Sequence, residues 1–359
     1  MNLRTKFVGS WGRLGMKYKL SDICEYAKGK IKVSTLDENT YISTENMLPN
    51  KGGITKAASL PTQEQTQAFM KNDVLVSNIR PYFKKIWYAT FDGGCSNDVL
   101  VFRAKDGVSS RFLHYVLADD TFFDYSMATS KGTKMPRGDK KAIMEYEVPE
   151  LSYEDQCKIA GILEAIDEKI ELNTDINKNL ADQSQAILTH FMDVYQCEFQ
   201  PLSDIADIID CLHSKKPKSE KDSSYQLIQL DNIRDDGFLD MSACKYMISA
   251  EDYRNWTRKC EIREGDCVIT NVGRIGAVSQ APAGVKAAMG RNMTCIRLKD
   301  DIKLNAYLIT TLLSKHMKRQ IESNTDEGTI MGALNVKNIP KLLLPIFVPT
   351  RMSELERLL

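Results

Sequence analysis

No stretch of this 359-residue sequence approaches eighteen apolar residues, and its opening twenty carry Arg4, Lys6, Arg13, Lys17 and Lys19 without a continuous apolar run. Neither a membrane span nor an export signal is expected. The nine cysteines are odd in number, scattered and never spaced Cys-x-x-Cys. That pattern suits a reducing cytoplasm, with buried thiols acting as small hydrophobes. Also missing are a phosphate-cradling Gly-x-x-x-x-Gly-Lys-Ser/Thr, any Glu-x-Lys, and an Asn-Pro-Pro-aromatic run of the kind that holds a flipped base for amino methylation. The four histidines, His114, His190, His213 and His316, show no metal-ligand spacing and read as structural or solvent-facing. A chain without these elements is expected to be non-catalytic and to hold no metal.

What remains is a chain with 43% hydrophobic residues, enough for two or three cores and too many for a disordered protein. Its net charge of zero conceals a segregation. Lys and Arg number 22 against 17 Asp and Glu over residues 1–150, 3 against 10 over 151–200, and 23 against 21 over 201–359. An acidic rod between two mildly basic bodies directs a polyanion to the bodies and leaves the rod as spacer and docking surface, unless the acidic face is merely solvated.

The rod is a helix predicted from Ser152 to Tyr195. Ile159, Ile166, Asn173, Leu180, Ile187 and Val194 recur every seven residues, and Ile162 and Ile176 follow members of that row by three. Ser152 and Asp155 form a capping-box pattern at its start. At 1.5 Å per residue the helix is roughly 60 Å long, and its apolar stripe calls for a second helix to cover it.

The bodies are copies. Leu20-Ser-Asp-Ile23 is answered by Leu202-Ser-Asp-Ile205, and Asn72-Asp-Val-Leu-Val-Ser-Asn78 by Gly265-Asp-Cys-Val-Ile-Thr-Asn271. Asn97 to Asp106 is answered by Asn292 to Asp300, Gly132-Thr133 by Gly328-Thr329, and Val148-Pro149 by Val348-Pro349. The offset drifts only from 182 (Leu20 to Leu202) to 200 (Pro149 to Pro349), so the chain is a tandem duplication with pseudo-two-fold potential. Within each copy the pattern predicts strands, with Asn72–Ile79 alternating like a half-buried one. One amphipathic helix is expected over Ser110–Tyr125, and its counterpart over Ala306–Met317. The fold class is α/β (α+β): two similar globular domains separated by a long coiled-coil helix.

Candidate binding residues lie on loops. Asn78, Arg80, Tyr82, Lys84 and Lys85 follow a predicted strand, and Asn271 and Arg274 occupy the duplicate loop. Arg and Asn offer donors for base edges, while lysines mostly reach phosphate; ordinary hairpin chemistry is the plainer alternative. Lys131, Thr133, Lys134 and Arg137 form a basic loop with Thr329 at its counterpart, and Arg291 and Asn292 open a strand beside Gly290.

In order and duplication, these motifs resemble the DNA specificity subunits of type I restriction-modification enzymes, over nearly the whole chain. The segments that carry the resemblance are the Leu-Ser-Asp-Ile, Gly-Thr and Val-Pro segments of both copies and Asp155-Gln156. The resemblance implies target-recognition domains at 1–151 and 199–350, a conserved spacer helix at 152–198 and the start of a second at 351–359. It implies double-stranded DNA as ligand, each domain reading half of a bipartite target. Two methyltransferase subunits would dock on the helix through Ile159, Ile162, Ile166, Asn173, Ile176, Leu180 and Ile187, and restriction/translocase subunits would complete the enzyme. S-adenosylmethionine, ATP and Mg²⁺ would sit on those partners and none on this cytoplasmic chain. Because the sequence runs only ten residues past Pro349, most of the second helix is expected to be lacking; either the gene is truncated, or another subunit or a second copy covers the stripe. A protein-interaction scaffold and a silent truncated specificity cassette are the alternative readings.

Overall fold

The computed structural model describes residues 17–132, 134–243, 245–326 and 332–359. The chain divides into two compact units, 1–171 and 172–359, and the long helix, Tyr153–Val194, runs from one into the other. Its start is capped as the sequence predicts. Ser152 Oγ accepts from the Asp155 N–H at 3.1 Å and donates to the Asp155 carboxylate at 2.7 Å.

The first unit is built in layers. A central antiparallel sheet orders the strands Cys24–Tyr26, Val99–Ala104, Val74–Ser77 and Ile86–Tyr88. On one face Val74, Val76, Leu100 and Phe102 pack with Phe112, Leu113, Val116 and Phe122 from two short helices. On the other face Leu75, Val99 and Val101 pack with Ile42, Phe69 and Cys95 of a second sheet. The expected half-buried strand is therefore wrong in one respect: all of Val74–Ser77 is buried, because alternate residues feed two different cores.

The second unit repeats this plan. The sheet Ala206–Asp210, Met293–Leu298, Cys267–Thr270 and Val278–Gln280 has the same order. Cys267, Ile269 and Ile296 face one core while Val268 and Cys295 face another. Hydrogen bonds repeat as well: Leu20 N–H to Tyr146 O and Leu202 N–H to Leu342 O are both 2.7 Å, and Lys105 N–H to Ile23 O and Lys299 N–H to Ile205 O both 3.0 Å. Each copy buries an aspartate held bidentately by arginine. Asp73 accepts from Arg103 at 2.8 and 2.6 Å, and Asp266 from Arg297 at 2.8 and 2.6 Å. The second sheets share three strands but place the fourth on opposite edges: Lys30–Lys32 beside Gln65–Phe69 in the first, Met247–Ile248 beside Tyr225–Ile228 in the second.

The single helices expected over 110–125 and 306–317 are each two. Ser110–Leu117 ends before Asp119, whose carboxylate accepts from the Thr121 N–H at 2.9 Å and starts Asp120–Ala128. Asn305–Leu312 likewise gives way to Lys315–Ser323, started by Ser314, which accepts from the Met317 N–H at 3.1 Å. A side-chain cap offers the backbone a new start in the middle of an apolar pattern that would otherwise run on. Two further caps come from the segments that follow Pro149 and Pro349. Gln156 Oε1 accepts from the Ser109 N–H at 3.0 Å, and the Glu356 carboxylate accepts from the Ala306 and Tyr307 N–H groups at 3.0 and 2.8 Å. The expected second helix is present as Pro349–Leu358, buried through Met352 and Leu355.

Candidate nucleic-acid interface

In the first unit the chain leaves the buried strand at Ser77, turns through Arg80 and Pro81–Phe83, and returns at Ile86. Arg80 and Lys84 both take left-handed backbone, φ +50° and +51°. Two other segments are tied to this turn. Arg80 N–H donates to Pro136 O at 2.8 Å, joining it to the 131–137 loop, and Asn50 and Lys51 N–H donate to Phe83 and Lys84 O at 2.8 and 2.9 Å. The structure thus brings the two predicted basic loops of this copy together, with Arg137 bridged to both Ile79 and Lys131.

Individual side chains divide by what holds them. Asn78, expected as a loop donor, is 7% exposed and turned inward, with Oδ1 buried and unpaired. Tyr82 and Phe83 stand exposed, their rings 4.7 Å apart. Lys85 donates to Thr44 O at 2.6 Å, and Lys84 and Lys51 share Asp120 at 3.0 and 2.8 Å. Burial pushes the Asp120 carboxyl up, but hydrogen bonds from the two lysines outweigh it and hold the group below its ordinary value. Lys131 pairs with Asp139 at 2.6 Å while remaining largely exposed, and Arg137 lies 3.3 Å from Asp98. Asp139 is held down to about 2 by Lys131 and by the Ala142 and Lys141 N–H groups it caps. Lys134 is exposed. Exposed pairs of this kind are weak and exchange readily for a polyanion. Thr133 and Thr329 lie outside the described residues.

In the second unit Asn271 faces inward, 6% exposed, and exchanges hydrogen bonds with Thr294 Oγ1 at 3.0 and 3.1 Å. Both asparagines brace the turn, because Asn78 N–H donates to Asp98 O and Asn271 N–H to Asn292 O, each at 2.8 Å. Arg274 is held by Ile233 O at 2.7 Å and by the Asp235 carboxylate. It is not the counterpart of Arg80. Ile79 bridges Arg137 and Val272 bridges Ala333, so the residue after each bridge corresponds, and that is Arg80 in one copy and Gly273, φ +88°, in the other. Arg291 and Asn292 are exposed beside Gly290, where an added Cβ would lie 2.2 Å from Ile228 O.

One cationic element escaped the sequence reading. Lys215, Lys216, Lys218 and Lys221 occupy the exposed loop after Ala206–Asp210, and that strand pairs Asp210 with Thr294, beside the Arg291–Asn292 turn. The loop is anchored by Tyr246, whose hydroxyl donates to Pro217 O at 2.7 Å and whose ring lies 3.9 Å from Lys216 Nζ. Four lysines among seven residues were a legible signal.

The heptad row behaves differently at its ends and its middle. Ile159 and Ile187 are half-buried against the two cores, and Ile166 is half-buried. The residues that pack into the cores are Gln156, Ala160 and Leu163 at one end and Leu188 and Phe191 at the other. From Glu168 to Gln183 every position is exposed. Ile162, Ile176 and Leu180 stand there or nearby at 53%, 44% and 54% exposure, with Asn173 among them.

Among the described residues two clusters carry potential metal ligands. Asp210, Cys211 and His213 are grouped at the second unit's sheet end, and Cys260, Asp266 and Cys295 are buried together. Asp210 is paired with His213 at 2.7 Å, and both oxygens of Asp266 are engaged by Arg297. Among the described residues no helix is long and apolar enough to cross a membrane.

Residues 15–181 match the family model described as type I restriction modification DNA specificity domain. The chain is 31% identical over 98 residues to the EcoDI specificity subunit of Escherichia coli and 28% identical over 204 residues to the HindI specificity subunit of Haemophilus influenzae. These matches cover 27% and 52% of this chain and only 22% and 43% of the relatives' own length. In fold it is similar to the crystal structure of a type I restriction-modification system S subunit from M. genitalium, with a TM-score of 0.57 at 14% identity, covering 96% of this chain and 87% of that one.

Proposed function

We propose that the chain, whose residues 15–181 match the model of the type I restriction modification DNA specificity domain, directs such an enzyme to its DNA, each unit reading one half of a bipartite target. The observation that carries this reading is the duplicated strand-end turn. Each copy carries an arginine on this turn, at position 80 in one and one residue further along, at 274, in the other, and an inward asparagine at 78 and 271 braces both turns with equivalent backbone bonds. Phosphate contacts would fall to Lys84, Lys85, Lys131, Lys134 and the 215–221 lysines, whereas Arg80, Arg274, Arg291 and Asn292 can reach base edges. The exposed apolar stripe of the acidic helix serves as the dock for two methyltransferase subunits. S-adenosylmethionine, ATP and Mg²⁺ belong to the methyltransferase and restriction subunits of the complete assembly, and this chain contributes recognition rather than catalysis.

The test is co-expression with the methyltransferase subunit from the same genome, followed by sequencing of the methylated adenines in host DNA. A split motif that changes in one half when one unit is exchanged is the expected result. A stable complex that leaves DNA unmethylated, or no complex at all, refutes the reading.

A further inference from the structure

A recess of about 520 Å³ opens in the first unit beside the Arg80 turn. Glu45, Arg80 and Asp98 line it together with Ser43, Ser96 and Met135. Two features set it apart from the cationic rim. It carries carboxylates, which repel phosphate and therefore have no place in a backbone contact. And Arg80 holds left-handed backbone that an L side chain rarely adopts, where the duplicate uses Gly273. The Arg80 Nε is buried without a hydrogen-bond partner, so fold stability does not account for an arginine here. A position kept strained for its side chain, when glycine serves the same turn in the other copy, is kept for what that side chain binds.

We propose that this recess reads a G·C base pair through the major groove, with Arg80 donating to guanine O6 and N7 and Glu45 accepting from the cytosine N4 amino group. This rests on the DNA reading above and names a specific base pair within it. The chemistry is complementary, since guanine offers only acceptors on that edge and cytosine only a donor. An A·T pair would set the thymine methyl and O4 against the carboxylates. Asp98 is already paired with Arg137 at 3.3 Å, which leaves the Glu45 carboxylate as the acceptor.

The experiment is to sequence duplexes captured from a randomised pool by the full chain and by its R80G and E45A variants, alongside melting temperatures. R80G supplies the glycine that the duplicate already uses, so its melting temperature is expected to be unchanged or higher. Discrimination at one G·C pair of one half-site is expected to fall about ten- to hundredfold in both variants, with every other position unaltered. Unchanged discrimination in either variant, a wild-type half-site that requires no G·C pair, or a lowered melting temperature in R80G overturns the assignment alone. A wild-type chain that selects no motif overturns the DNA reading, and this assignment with it.

Discussion

The duplicated aspartate–arginine pairs predict that one substitution made at equivalent places will have unequal costs. Asp73 and Asp266 are each 3% exposed at the side chain, and each accepts two guanidinium hydrogen bonds plus one backbone N–H, from Met70 and Arg263 respectively, at 2.8 Å. Replacing either by alanine strands its arginine beside a buried void. Leaving one member of a buried pair unmatched costs about 3–5 kcal/mol when the survivor cannot reach water. Arg297 is 19% exposed and fixed by a further bond to Glu261 O at 2.7 Å, whereas Arg103 is 31% exposed. D266A should therefore destabilise its unit by about 3–5 kcal/mol, and D73A, whose arginine can rehydrate, by about 2–3. Because the two units need not unfold together, the assay is urea titration read by hydrogen exchange on peptides covering Val74–Ser77 and Cys267–Thr270. Replacing both partners with apolar residues of similar size, Asp266→Leu with Arg297→Met, should recover most of the loss. Equal costs, a larger cost for D73A, or losses below about 1 kcal/mol would refute the reasoning that rehydration sets the difference.

If the 215–221 loop contacts phosphate, changing its four lysines to glutamine should lower the slope of log affinity against log salt by up to about 4 without altering the preferred sequence; an unchanged slope removes the loop from the interface. The Asp139 carboxyl lies at about 2, below its ordinary 3.8, so folding favours the ionised form. Its grip on Lys131 and on the Lys140–Ile143 helix is complete above about pH 4 and lost as pH falls through about 2. Carbon-detected NMR titration of this carboxyl should report that low midpoint, and a midpoint near 4 would show that the pairing does not hold in solution.

The repeat and the long helix were legible because they depend on residue spacing. Ser152 with Asp155 marked the start of the helix to within one residue. What escaped depends on which neighbour each residue meets. The alternation in Asn72–Ile79 predicts two unlike faces, yet both are buried, since Val76 and Leu75 enter separate cores. An apolar pattern continuing through Ala118 hides the break that Asp119 makes by capping Thr121. Asn78 and Asn271 looked like ligand donors because polar loop residues usually face out; here they brace the turn from inside. No spacing rule reveals that Arg80 has positive φ, although Gly273 in the duplicate was a visible hint.

The two copies differ where a shared scaffold with separate readouts has to differ. Backbone bonds that set the turn are equal in length at Asn78 and Asn271, and the buried aspartate–arginine pairs match to a tenth of an ångström. On that common frame Arg80 corresponds to Gly273, Asp98 to Asn292 and Arg137 to Ala333. The fourth strand of the outer sheet has moved to the opposite edge, which leaves the buried strands untouched. Core positions in a duplicated fold are constrained by both neighbouring layers, so they drift little. Positions beyond the strand ends are constrained only by what they bind. Because the turns diverge on a shared central sheet, exchanging residues 78–85 and 131–137 for their counterparts is expected to carry one readout into the other unit while leaving both cores intact. Unfolding of such a chimera would place the differences within the scaffold itself.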